Sequence, residues 1–135
     1  QIVSVAMGQL GNSGGQKFWS WYGFDSRVEW CACFASWCAE QSGMVASGQV
    51  LKFSSCAVGA SWFQGQGRWK GKGYTPSAGD FIFFDWNKDG QVDHVGIVVN
   101  VANGRVNTIE GNTSNMVARR SYQFGGIVIV GYGYI

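Results

Sequence analysis

One histidine, His94, and four cysteines, Cys31, Cys33, Cys38 and Cys56, carry most of the chemistry this sequence can offer. A thiol attacks as the thiolate, and an imidazole beside it can take the proton and keep the charge close. A third polar group that fixes the imidazole's tautomer completes such a set. The segment Glu110-Gly111-Asn112 supplies two candidates for that third role, Glu110 and Asn112. Among the thiols Cys31 is favoured, because it lies closest of the four to the start of an apolar helix-forming run, and the first turn of a helix lowers a thiol pKa. Its separation from His94 along the chain is no obstacle, since such partners meet in space.

The cysteines do not read as a metal site or a disulfide framework. Zinc wants pairs such as C-x-x-C together with histidines at ligand spacing, and a single histidine does not provide them. Cys31, Cys33 and Cys38 fall within one expected helix, on which Cys33 and Cys38 do not face each other. All four are expected to stay reduced. Any bridge among Cys33, Cys38 and Cys56 would have to include Cys56, with Cys31 left as a free thiol.

The elements that must position these groups follow from the apolar pattern. Ile2, Ala6 and Leu10 at helical spacing, ending at Gly11-Asn12, predict a short packing helix. Ser26-Arg27-Val28-Glu29 has the form of a capping box and predicts the start of a second helix through Trp30, Cys31, Phe34, Trp37 and Cys38. Gly43 supplies its left-handed stop. That helix is apolar nearly all round and is therefore expected at the centre of the fold. A further short helix is expected near Ala57 to Phe63. Strands follow at Phe81–Phe84, His94–Val101, Val106–Glu110 and Ile127–Val130. Helices first and antiparallel strands after them predict an α+β fold, in one domain spanning 1–135.

The turn Val101-Ala102-Asn103-Gly104-Arg105 decides which side chains share a face. A two-residue Asn103-Gly104 loop pairs Ala102 with Arg105 and sends His94 and Glu110 to opposite faces. A three-residue loop, with Gly104 as a left-handed bulge, pairs Val101 with Arg105, Val98 with Thr108, Gly96 with Glu110 and His94 with Asn112. In the latter register Glu110 is the diagonal neighbour of His94, about 7–8 Å away between backbones and within reach of side chains. The expectation is thus a base, His94, with its orienter, served by Cys31.

Asp85-Trp86-Asn87-Lys88-Asp89-Gly90-Gln91-Val92-Asp93 matches the first nine positions of an EF-hand-type loop, with Gly90 at the sharp turn. A structural Ca²⁺ held by Asp85, Asn87, Asp89, the Gln91 carbonyl and Asp93 is expected. The bidentate glutamate usual at the twelfth position is absent, because Gly96 stands there.

Composition bounds the rest. Abundant aromatics with 13% charged residues exclude a disordered chain. No apolar run approaches the roughly 20 residues of a membrane-spanning helix. The net charge of +2 is spread over scattered Lys and Arg rather than massed, which argues against a nucleic-acid partner. No basic segment followed by an apolar run opens the chain, so a signal peptide is expected to have been removed or never to have existed.

Together Arg27 to Ala39 around Trp30-Cys31-Ala32, Pro76-Ser77-Ala78-Gly79-Asp80-Phe81-Ile82-Phe83-Phe84, Asp93-His94-Val95-Gly96-Ile97-Val98 and Thr108-Ile109-Glu110-Gly111-Asn112 resemble CHAP domains, the cysteine, histidine-dependent amidohydrolases/peptidases of phage endolysins and bacterial autolysins. The resemblance runs from about Ile2 to Tyr132. It implies a papain-like fold, with the nucleophile at the head of a helix packed on an antiparallel sheet. It assigns the nucleophile to Cys31 rather than Cys33, the base to His94 and the orienter to Glu110, with Asn112 as a further polar member. Where the family often has Gln before the nucleophile, this chain has Trp30. The oxyanion is expected to meet the Cys31 backbone N–H and a second donor from Tyr22 to Arg27.

The expected function is hydrolysis of an amide or peptide bond in bacterial peptidoglycan, outside the cell or in its wall. It needs no organic cofactor, and Tyr22, Trp30 and Trp86 line the groove. The enzyme is expected as a monomer, assisted by a separate wall-binding domain outside this chain. The rival readings are a papain-like protease or acyltransferase acting on proteins, and a catalytically silent wall-binding module with an aromatic platform.

Overall fold

The structure, a computed structural model, describes residues 1–135. Four helices, α1 (Ile2–Met7), α2 (Gln16–Tyr22), α3 (Cys31–Gln41) and α4 (Cys56–Gly65), precede six strands: β1 (Trp69–Gly71), β2 (Phe81–Phe84), β3 (His94–Ala102), β4 (Arg105–Thr113), β5 (Met116–Gln123) and β6 (Ile129–Gly133). The strands form one sheet in the order β1-β6-β2-β3-β4-β5, every neighbouring pair antiparallel. This is the α+β arrangement that the order of patterns predicts. No helix is long and apolar enough to cross a membrane.

Helix α3 is buried along most of its length, as its all-round apolar surface requires. It packs with α1 against β3 and β4. Its end is the expected one: Gly43 takes φ 77°, the Met44 N–H donates to the Ala39 carbonyl at 2.9 Å and the Gly43 N–H to Glu40 at 3.0 Å. Its start is not. The helix begins at Cys31 with Trp30 as its N-cap and no side-chain cap, so the capping box over Ser26–Glu29 does not form. The Glu29 carboxylate is drawn instead to the Arg27 guanidinium at 3.2 Å and the Asn112 amide at 2.9 Å. Asn112 belongs to the distant strand β4, which local pattern cannot weigh.

The sheet separates two apolar clusters. Val95, Ile97 and Ile109 point to the helix side, where 22 buried residues form the main core. Val98 and Val106 point to the other face, into a cluster of six with Ile82, Phe84, Ile129 and Tyr132. By strand alternation His94, Gly96, Thr108 and Glu110 share that second face.

The β3–β4 register corrects the expected turn while keeping its consequence. Asn103 (φ 54°) and Gly104 (φ 73°) are both left-handed, so the loop is the two-residue kind whose twist suits a hairpin, and Ala102 pairs with Arg105. A bulge between Val98 and Asn100 then resets the alternation, and Val98 faces Thr108 and Ile97 faces Ile109. The half of the hairpin that bears the site therefore has the register expected of a three-residue loop, reached through a bulge.

Gly111 shows how tightly α3 rides on β4. A Cβ there would stand 2.6 Å from Phe34 Cβ and 3.0 Å from Trp30 Cζ3, whereas one at Gly65 in α4 meets nothing within 4 Å. Gly111→Ala is expected to lower unfolding stability by about 1–3 kcal/mol through overpacking. Gly65→Ala should raise it by about 0.4–1 kcal/mol by restricting the unfolded chain. Urea unfolding of the two variants checks the pair, and equal shifts would contradict this packing.

Candidate active site

His94 opens β3 at 7% exposure, and its Nε2 lies 2.8 Å from Oε1 of Glu110. The Glu110 carboxylate is fully buried. Its Oε2 accepts from the Thr108 hydroxyl at 2.5 Å and from the Tyr122 hydroxyl at 2.7 Å. A buried carboxylate with three such partners is satisfied on both oxygens, which is the condition for keeping a charge out of water. Gly96 makes the room, since a Cβ there would stand 2.6 Å from Glu110 Cγ. With Nε2 occupied by Glu110, Nδ1 is the ring nitrogen left for Cys31, which hydrogen-bonds the imidazole.

Cys31 comes from the helix side and meets His94 at the end of the sheet. It is the first residue of the uncapped α3, and its backbone N–H has no acceptor. The positive end of the helix thus faces the sulfur, together with an amide free to hold an oxyanion. Cys56, first residue of α4, places its Sγ 3.3 Å from Cys31 Sγ. The hydrogen bond from Cys56 draws the Cys31 thiol down against burial, and the hydrogen bond and charge of His94 bring it to about 5. Burial pushes His94 down, but hydrogen bonds to Cys31 and Glu110 and their charges outweigh it and raise it to about 10. Burial pushes Cys33 up to about 11 and Cys38 higher still, while the contact with Cys31 and then burial raise Cys56. Cys31 is therefore the thiolate of the four, paired with a His94 imidazolium.

The sulfur and the imidazole open on a groove of about 610 Å³ whose walls include Glu29, Trp86, Asn112, Arg120 and Tyr122. Of the three aromatics expected there, only Trp86 lines it. Trp30 is fully buried, stacked on Phe18 and donating its Nε1–H to Asn115, so it cannot touch a substrate. Tyr22 lies outside the groove, stacked on Phe24 with the Lys52 ammonium over its ring. No residue from Tyr22 to Arg27 lines the groove. Asn112 takes φ 59° and turns away from His94 to bridge Glu29 and Arg27. It walls the groove without touching the imidazole. Thr108 and Tyr122 were not singled out in the sequence, and Cys56 was weighed only as a bridge partner for Cys33 or Cys38. Thr108 sits two residues from Glu110 on the same face, and that spacing was the available signal.

In the loop from Asp85 to Asp93 the side-chain oxygens accept from the loop's own amides: Gly90 N–H to Asp85 at 2.8 Å, Gln91 N–H to Asp89 at 2.9 Å, Trp86 N–H to Asp93 at 3.0 Å. Gly90 supplies the sharp turn at φ 89°. No three acidic side chains gather about one point.

A thiol at a helix head, an imidazole and a buried carboxylate on one groove are the parts that cysteine-dependent acyl transfer calls for. The profile of the CHAP domain matches residues 21–112, about two thirds of the chain, and the chain belongs to the CHAP family. Among solved structures it is similar to "The crystal structure of Ly7917", with TM-score 0.60 and 18% identity over 97% of this chain and 59% of that one. It is equally similar to "The crystal structure of Ly7917 with the hydrolyzing product of MDP", at TM-score 0.60 and 19% identity over 97% of this chain and 60% of that one. At that identity the likeness is one of fold, and this chain spans about three fifths of the length of Ly7917. No curated protein matches the sequence.

Because His94 is the sole histidine, its imidazole C2–H resonance can be followed without overlap. It is expected to remain protonated through neutral pH and to titrate near 10. Glu110→Gln removes the negative neighbour, so the imidazolium should lose its proton at lower pH, and Cys31→Ala should act in the same direction. A wild-type midpoint at the ordinary histidine value would dissolve the ion pair.

Proposed function

We propose that this chain hydrolyses an amide or peptide bond of bacterial peptidoglycan with Cys31 as nucleophile. The observation that carries the reading is the meeting of Cys31, His94 and Glu110 on one groove. Membership of the CHAP family supports amide-bond chemistry, and the Ly7917 complex with the hydrolyzing product of MDP supports the choice of substrate.

The Cys31 thiolate adds to the substrate carbonyl, and the oxyanion that forms faces the unpaired N–H at the head of α3. The His94 imidazolium gives its Nδ1 proton to the leaving amine as the C–N bond breaks, leaving a thioester on Cys31. Water then adds to the thioester while His94 takes its proton, and the acid leaves as Cys31 returns to the thiolate. Glu110 keeps the ring oriented and stabilises its charged form. The arrangement is papain-like, a helix-head thiol set against a histidine on an antiparallel sheet. Asn112, Glu29 and Arg120 give the groove a polar wall suited to a substrate of sugars and peptide stems, with Trp86 as its aromatic face. The site of action is the cell wall or the extracellular space, and a wall-binding domain outside this chain would hold it there.

The test is mass spectrometry of purified peptidoglycan after digestion. Wild type should release fragments with new amine and carboxyl ends at one type of bond. Cys31→Ala, with folding checked by circular dichroism, should lose on the order of 10⁴-fold or more in rate. Digestion that survives Cys31→Ala would sink the mechanism, and cleavage of unfolded protein but not of peptidoglycan would sink the substrate.

The same reading includes a structural Ca²⁺ at Asp85, Asn87, Asp89, the Gln91 carbonyl and Asp93, supported by the spacing of those oxygens and the turn at Gly90. An ion that binds only the folded chain should add about 2.7 kcal/mol at one hundred times its dissociation constant. A thermal midpoint that does not move between EDTA and added calcium would remove it.

A further inference from the structure

The hydrolytic cycle uses one thiol, yet two stand together. Cys31 heads α3 and Cys56 heads α4, and their sulfurs are 3.3 Å apart at 5% and 8% exposure. Cys33 and Cys38 are farther along α3, buried in the main core. Cys31 is also the cysteine that lines the groove, so a small oxidant arriving from solvent meets it first.

We propose that Cys31 and Cys56 form a reversible oxidation site, in which a hydroperoxide oxidises Cys31 and Cys56 traps the product as a disulfide. The chemistry balances with the hydroperoxide as sole oxidant. The Cys31 thiolate attacks the terminal peroxide oxygen, the O–O bond breaks, and sulfenic acid and hydroxide form. The Cys56 sulfur then attacks Cys31 Sγ, an S–S bond forms, and the hydroxyl leaves as water with the Cys56 proton. Two thiols and one hydrogen peroxide become one disulfide and two waters. A thiol reductant reverses the step by exchange.

Geometry favours this outcome over further oxidation. The sulfurs need only close from 3.3 Å to the roughly 2.0 Å of a disulfide. A neighbour held in contact competes as an intramolecular reactant against a second peroxide that must diffuse in. Without that neighbour, sulfenic acid proceeds to the sulfinic and sulfonic acids, from which the thiol is not recovered. The lowered pKa of Cys31 supplies the thiolate that reacts first, and once Cys31 is a sulfenic acid the thiolate that held the Cys56 proton is gone, which frees the Cys56 sulfur to attack. The closed disulfide leaves no nucleophile, so the chain would be silent while oxidised and active once reduced.

The inference goes beyond hydrolysis, and its test needs no wall substrate, so its failure is separable from failure of the proposed function. Treat the reduced protein with hydrogen peroxide, then map peptides by mass spectrometry and measure alkylation of Cys31 by iodoacetamide before and after dithiothreitol. Wild type should lose two hydrogens in intact mass, yield a peptide joining Cys31 to Cys56, and regain alkylation of Cys31 after reduction. Under excess peroxide Cys56→Ser should accumulate oxygens on Cys31 that dithiothreitol does not remove. Oxygenated Cys31 in wild type, or a bridge from Cys56 to Cys33 or Cys38, would overturn the proposal. The wild-type peptide map decides alone if the variant does not fold.

Discussion

The carboxylate of Glu110 is shut away from solvent, and most of the architecture around the site answers to that fact. An ion in such a place costs several kcal/mol unless each oxygen finds a partner. Those partners come from three strands: His94 from β3, Thr108 from β4 itself and Tyr122 from β5. Gly96 must lack a side chain so that Glu110 can lie across it. The bulge at Val99 must sit between turn and site, because without it the two-residue turn would send Glu110 to the other face. From Glu110 the alternation of charge runs outward, carboxylate to imidazolium to thiolate, and each member holds the next in its charged form.

Much of this was legible in the residue pattern. The period of the apolar residues located α3, β2 to its end residues, and β3 and β4 to within a few residues, whereas of the expected strand Ile127–Val130 only Ile129 and Val130 fall in β6 and Ile127 is exposed in a turn. The register that brings Glu110 to His94 was also reachable, since only one parity puts both on a single face. It was reached through the wrong turn, however. Asn103-Gly104 suits a two-residue hairpin by its own backbone preference, and the compensating bulge at Val99 leaves no mark in a stretch of valines and asparagine. Strand β5 was missed because only Val117 of its eight residues is fully buried, and β1 because three residues carry no period.

The remaining differences share a cause. Ser26-Arg27-Val28-Glu29 satisfies the local grammar of a helix start, but Glu29 finds Arg27 and Asn112 instead. Trp30, next to the nucleophile in sequence, points into the core against Phe18, while Trp86, distant in sequence, faces the groove. Cys56 belongs to a segment without clear periodicity, and its place beside Cys31 depends on how α4 docks. Each is settled by a contact between segments far apart in the chain, to which the neighbouring residues give no clue. Position near the helix start already favoured Cys31, the CHAP resemblance agreed in choosing it over Cys33, and the sulfur that lines the groove is that of Cys31.

The two borders of the sheet differ in kind, and the β5 border is already closed at its start by the bridge between Ser13 and Met116. At one end β1 is only three residues long, and at the other β5 shows solvent the guanidinium groups of Arg119 and Arg120. A stray strand that tried to extend the sheet would find too little backbone on one side and a pair of positive charges on the other. An aromatic-rich, glycine-rich sheet is in this way protected from polymerising through its own edges. The same Arg120 that walls the groove thus also helps to keep one molecule's sheet from continuing into the next.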